Sequence, residues 1–211
     1  MNNNNNVEEA DRNKRITFEA YEKMKTTRYI FSKEDQEAIK SYLRPLKREL
    51  ETGNIDVEKL IMLIKLADVS LNYDFSDDNN FNLILFWDDL IESVYPGWQY
   101  YDSFCDYYKK SNDEEDKRIY EALFSDWDGF YFRLRNWDRS DKYLKLTAEE
   151  ERAFKLLLLP LGEELQTGNV GINRVAELFG LIFCLIGIDK PNLISFFHRL
   201  SWSILNGKQE M

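Results

Sequence analysis

Two stretches decide how this chain is read: RPLKRELETGNI, Arg44 to Ile55, and LPLGEELQTGNV, Leu159 to Val170. They are nearly the same twelve residues, 115 positions apart. The match extends outward. From Ser32 to Leu66 each residue aligns without a gap with Thr147 to Leu181, and thirteen of these 35 pairs are identical. After a five-residue offset it resumes, with NLILFWDDLIESVYPG (Asn82–Gly97) against NLISFFHRLSWSILNG (Asn192–Gly207). An internal match this long predicts a duplication, with residues 32–97 as one copy and 147–207 as the other.

Each copy reads as three helices. Ser32 or Thr147 is a good N-cap, and Asp35 or Glu150 stands at the capping-box position three residues on. Apolar residues follow at helical spacing: Ala38, Ile39, Tyr42, Leu43, Leu46 and Leu50, then Ala153, Phe154, Leu157, Leu158, Leu161 and Leu165. Pro45 and Pro160 lack the backbone donor and should kink or restart this helix. Gly53 or Gly168 should end it as a left-handed cap. A second helix starts near Asp56 or Gly171, and a third covers Asn82–Tyr95 or Asn192–Leu205.

The composition agrees with an all-α chain. There are 211 residues, 44% hydrophobic and 31% charged, with only 9 Gly and 4 Pro. So few breakers favour long helices. The expected organisation is an Asn-rich disordered tail plus a helix at about Asp11–Thr27 (residues 1–31), the first copy (32–97), an aromatic helical insert (98–146), the second copy (147–207) and a short tail (208–211). One globular unit is expected. The N-terminal asparagines carry no apolar run, so no secretory signal is read there. The most apolar window, Val175–Ile188, contains Glu177 and falls short of the roughly 20 residues of a membrane span. Cys105 and Cys184 lie in apolar contexts without a CxxC, as reduced core thiols would. A cytoplasmic protein without membrane contact is expected.

Differences between the copies point to function. The first carries fourteen acidic and seven basic residues, the second seven and five. Between Leu66 and Gly97 stand Asp68, Asp74, Asp77, Asp78, Asp88, Asp89 and Glu92, with no Lys or Arg. Where the first copy has Asp88, Asp89 and Glu92, the second has His198, Arg199 and Trp202. The insert, Trp98–Trp137, holds thirteen aromatics in forty residues, more than a core hub of that length is expected to bury. It reads as short helices at about Gln99–Lys110, Asp113–Phe124 and Trp127–Trp137.

Catalytic motifs are scarce. DDLIE, Asp88 to Glu92, is similar to the DDxxE of all-helical terpene synthases, and that resemblance implies magnesium and a diphosphate substrate. It covers five residues, and no second metal motif accompanies it. Glu149–Glu151, Glu163 and Glu164 suit the start of a helix better than a carboxylate cluster of the all-α nucleotide pyrophosphatases. The acidic run Asp74–Leu85 lacks the glycine and closing glutamate of a calcium loop. His198 is the only histidine, which leaves little basis for a zinc site or a histidine-based triad. Neither TGN nor WDGF matches a phosphate-binding glycine loop.

The net charge of −10 disfavours nucleic acid, whose phosphates it repels, and suits a basic protein. The expected function is therefore non-enzymatic: binding and blocking a basic partner, by the physics that immunity proteins and nucleic-acid-mimicking inhibitors use. The expected contact residues are Asp74, Asp77, Asp78, Asp88, Asp89 and Glu92, with Tyr100, Tyr101, Tyr107 and Tyr108 as aromatic anchors. No cofactor is expected. The alternatives are a magnesium enzyme built on Asp88, Asp89 and Glu92, and a self-assembling scaffold, with room for a homodimer.

Overall fold

The computed structural model describes residues 3–27, 29–71, 81–95, 101–125, 146–186 and 191–207. These residues are helical, with no strand among them. The chain divides into two compact units, Met1–Tyr95 and Pro96–Met211, rather than the one unit expected.

In the first unit α1 spans Asn3–Thr26, α2 Lys33–Leu43, α3 Leu46–Thr52, α4 Val57–Leu71 and α5 Phe81–Val94. Helix α1 packs on α2 and α4, and α5 packs on α2 and α3. The core is built from Ala20, Met24, Ile39, Leu43, Leu46, Leu50, Leu63, Phe86, Trp87 and Leu90, each 5% exposed or less. A leucine or phenylalanine buried this fully contributes about 1.5–3 kcal/mol. Helix α1 starts at Asn3, not Asp11, so the asparagines after Asn2 extend it. Asparagine is a mediocre helix former, but adding residues to a nucleated helix costs only tenths of a kcal/mol apiece.

The second unit holds α6 (Tyr101–Lys110), α7 (Glu114–Ile119), which runs into a π-helical turn at Tyr120–Phe124, then α8 (Ala148–Leu158), α9 (Pro160–Thr167), α10 (Ile172–Leu185) and α11 (Pro191–Asn206). Helices α7, α9, α10 and α11 all pack on α8, and α9 packs on α11. Buried Tyr108 stacks on Phe124 at 5.5 Å, so the described part of the aromatic segment folds into this unit. The expected helix at Trp127–Trp137 lies outside the described residues. In α10 every residue from Val175 to Ile182 is buried, Glu177 included, and Cys184 is buried as well.

The two quoted stretches make the same contacts 115 residues apart. Ser32 and Thr147 cap α2 and α8 with full capping boxes closed by Asp35 and Glu150. At each proline the helix breaks and restarts. The Lys47 N–H donates to the Arg44 carbonyl at 3.2 Å, and the Gly162 N–H to that of Leu159 at 3.0 Å. Gly53 and Gly168 have φ of 73° and 74°, the left-handed conformation that ends both helices.

A further pair of contacts was not read from the sequence. Glu49 accepts from the Asp56 N–H at 3.0 Å and pairs with Lys59 at 2.7 Å. Glu164 accepts from the Gly171 N–H at 2.8 Å and pairs with Arg174 at 2.8 Å. Each glutamate thus fastens the start of the next helix, where backbone N–H groups need an acceptor. Burial by itself would lower the Lys59 pKa, but the bonds to Glu49 and Asp56 outweigh it and hold the ammonium above its ordinary range.

Candidate functional site

Helix α5 is amphipathic. Leu83, Phe86, Trp87, Leu90, Ile91 and Val94 are buried. Phe86 meets Phe31 edge-on at 5.0 Å and Trp87 at 5.7 Å, which fixes the rotation of the helix. Leu85, Asp89 and Glu92 consequently point outward, spaced four and three residues apart on one stripe. Leu85 is 49% exposed, unusual for a leucine flanked by carboxylates. Asp88 is half-buried at the stripe's edge. Asp89 pairs with Lys40 of α2, whose ammonium also lies over the Phe86 ring at 5.9 Å.

The expected site residues divide between the two units. Asp88, Asp89 and Glu92 lie on α5 of the first. Tyr107 and Tyr108 lie on α6 of the second, and Tyr101 begins that helix. Tyr107 is 56% exposed and stands edge-on to Tyr108 at 5.0 Å. Tyr108 is only 5% exposed, so it serves the core instead of anchoring a partner. Its burial pushes the phenol well above the usual range, against the opposing pull of Arg174. Asp74, Asp77, Asp78 and Tyr100 lie outside the described residues, as does the Tyr101 side chain. Tyr107 and Tyr108 could not be told apart from sequence, since adjacent residues on a helix differ only in which one the neighbouring helix covers.

Among the described residues no group of three His, Cys, Asp or Glu side chains is arranged to hold a metal ion. Asp88, Asp89 and Glu92 belong to that searched set, and Asp89 is occupied by Lys40. Among the same residues no helix is long and apolar enough to cross a membrane.

A polar cleft of about 370 Å³ lies between α1 and the start of α2. Its charges answer one another: Arg12 pairs with Glu34 at 2.5 Å, Arg15 with Glu19 at 4.0 Å, and Lys23 lies over the Tyr29 ring at 5.0 Å. At its floor Asp35 accepts from the Tyr29 hydroxyl at 2.5 Å and the Ser32 N–H at 2.8 Å. Burial would raise the Asp35 pKa, but these donated bonds, with that of the Ser32 hydroxyl, outweigh it and hold the carboxyl below its ordinary range. Tyr29 is pushed up to about 12, first by burial and then by Asp35. The cleft fastens α1 to α2.

The signs give a pH dependence. A carboxyl held low in the fold contributes stability that is present above the unfolded carboxylate pKa and lost as pH falls through the lower folded value. A phenol held high contributes stability that is complete below its unfolded pKa and lost as pH rises toward 12. Tyr29→Phe should cost the first unit about 1.5 kcal/mol at neutral pH, the worth of one hydrogen bond to a charged acceptor at the low end. Urea unfolding at acidic, neutral and alkaline pH should show that cost shrinking at both extremes. A cost independent of pH would mean that the hydroxyl acts by packing alone.

No family model, curated protein or solved structure matches this chain. The positions in α11 aligned with Leu85, Asp88, Asp89 and Glu92 carry Ser195, His198, Arg199 and Trp202. Helix α11 buries Leu193, Phe196, Phe197, Leu200 and Ile204 much as α5 buries its own apolar face. The fold therefore accepts either set of outward residues, and does not itself demand the acids.

Proposed function

We propose that the chain is a non-enzymatic interaction protein whose acidic α5 face binds a basic protein and, by covering it, inhibits or sequesters it. The observation that carries this reading is the outward stripe Leu85, Asp89 and Glu92 on a helix with no Lys or Arg. Carboxylates of this kind steer a cationic partner, and the exposed leucine supplies apolar contact once the two meet. Asp88 borders the stripe. Asp74, Asp77 and Asp78 precede it in the chain and extend the acidic segment. Tyr100, Tyr101 and Tyr107, which belong to the second unit, are proposed as aromatic contacts in their own right, and buried Tyr108 is not among them. A cytoplasmic setting is part of the same reading, in keeping with a chain of two cysteines and no CxxC.

The same reading holds that the two halves arose by duplication of a three-helix unit. The paired capping boxes, proline restarts, left-handed glycines and glutamate fastenings support it. After duplication the acidic patch of the third helix was gained in one copy or lost from the other.

The test is capture from a native lysate at low and high salt, identification of the partner, then titration of that purified partner against wild type and a D89K/E92K variant. Reversal of two exposed carboxylates should weaken binding about tenfold, since each exposed ion pair contributes about 0.2–1 kcal/mol. Unchanged affinity for every partner captured would reduce the stripe to a solvated face.

A further inference from the structure

The quoted stretches differ most at their polar positions. Arg44, Lys47 and Arg48 in the first correspond to Leu159, Gly162 and Glu163 in the second. All three cations are exposed, and none has a carboxylate partner among the described residues. The aligned helices α8 and α9 fold without them, so they are not required by the helix–break–helix.

Their position relative to α5 gives them a use. Lys40 pairs with Asp89, so this edge of α2 lies against the acidic stripe. Arg44 stands one helical turn further on, its N–H donating to the Lys40 carbonyl at 2.8 Å. Residues four apart on a helix are neighbours about 5–6 Å apart at Cβ, so Arg44 continues the Lys40 edge. The backbone stays right-handed through Arg44 and Pro45, and α3, which bears Lys47 and Arg48, packs beside α5. Arg44, Lys47 and Arg48 follow Lys40 by four, seven and eight residues, the spacing of one helical face, and that face begins at the Lys40–Asp89 pair.

Two adjoining faces of opposite sign are self-complementary about a twofold axis. Turning a second copy through half a circle, face to face, sets its cations over the first copy's carboxylates, and the reverse. A nucleic acid or a uniformly acidic protein surface drawn to the cations would meet the carboxylates beside them with no cation of its own to answer them. A second copy meets charge complement on both faces. We infer that this face, Arg44, Lys47 and Arg48 beside Leu85, Asp89 and Glu92, joins two copies of the chain in a weak, salt-sensitive symmetric dimer. Dimerisation would cover the stripe assigned above to a basic partner, so the partner would compete with the second copy for it.

The test uses the purified full chain alone. Sedimentation equilibrium should find a dimer at 0.1 M NaCl, where the Debye length is about 10 Å, and a monomer at 1 M, where it is about 3 Å. Two variants leave the Lys40–Asp89 pair intact: R44E/R48E, which makes the face acidic throughout, and L85K/E92K, which makes it basic. Each alone should raise the dimer dissociation constant about tenfold or more, as the loss of two or more cross-pairs implies. Mixed, they should form a one-to-one complex tighter than the wild-type dimer. A wild-type monomer at 0.1 M NaCl and high protein concentration, a dimer indifferent to salt, or variants that do not pair would each overturn the inference. The salt comparison needs no variant. A monomer that still binds a basic protein sinks the dimer and leaves the partner reading standing, and a dimer without partner affinity does the reverse.

Discussion

Replacing Gly162 by valine should destabilise the second unit by about 3 kcal/mol, at the upper end of what overpacking costs. Gly162 lies in α9 where it crosses α11, and a Cβ there would sit 2.7 Å from the backbone carbonyl oxygen of Ile204. That neighbour is main chain within a helix, so it cannot rotate aside as a flexible side chain could. The two helices must separate, and Leu161, Leu165 and Ile204, now 8% exposed or less, lose contact with one another. Valine adds the restricted rotamers of a branched side chain. Urea unfolding of wild type against Gly162→Val measures the loss, and hydrogen exchange locates it. Protection should fall in α9 and α11 and hold in α1–α5. A stability within about 0.5 kcal/mol of wild type, the range of ordinary surface substitutions, would mean the crossing is not close.

Removing Glu164 should cost nearly as much, about 2–3 kcal/mol, because one side chain makes two charge-assisted contacts. Glu164→Ala leaves the Gly171 N–H without its acceptor at the start of α10, and leaves Arg174 without its carboxylate. The Nε of Arg174 is buried and already finds no hydrogen-bond partner among the described residues, so the guanidinium would be doubly unsupported. Glu49→Ala should produce the matching loss in the first unit, and Glu49→Gln a smaller one, since an amide oxygen still accepts from the Asp56 N–H. The duplication reading requires both alanine variants to lower stability, each with exchange confined to its own unit. A loss at one glutamate and none at the other would break the equivalence.

Sequence periodicity located the helices well because the apolar faces repeat every three to four residues and the caps use distinctive chemistry. Ala38, Ile39, Tyr42, Leu43, Leu46 and Leu50, and their counterparts Ala153, Phe154, Leu157, Leu158, Leu161 and Leu165, are buried as that spacing expects. The role of Glu49 and Glu164 was harder to see. A glutamate in the last turn of a helix looks like surface charge, and only the left-handed glycine that follows swings the next N–H groups toward it. Asp89 was legible as an exposed acid, but its pairing with Lys40 was not, since 49 residues separate them and only the packing of α5 on α2 brings them together. The cations of RPLKR drew no reading from sequence, since their meaning depends on which helix lies beside them.

The fastened turns also bear on how the chain acquires its structure. Glu49 and Lys59 are ten residues apart, as are Glu164 and Arg174, and loops of about that length close in roughly 10–100 ns. Each turn can therefore form from its own immediate sequence, before any contact between distant helices exists. The first unit draws on the turn at Gly53 and the second on that at Gly168, so each carries a local starting point for folding within itself. Neither half needs to wait for the other, and during synthesis the first could be complete while the second is still being made.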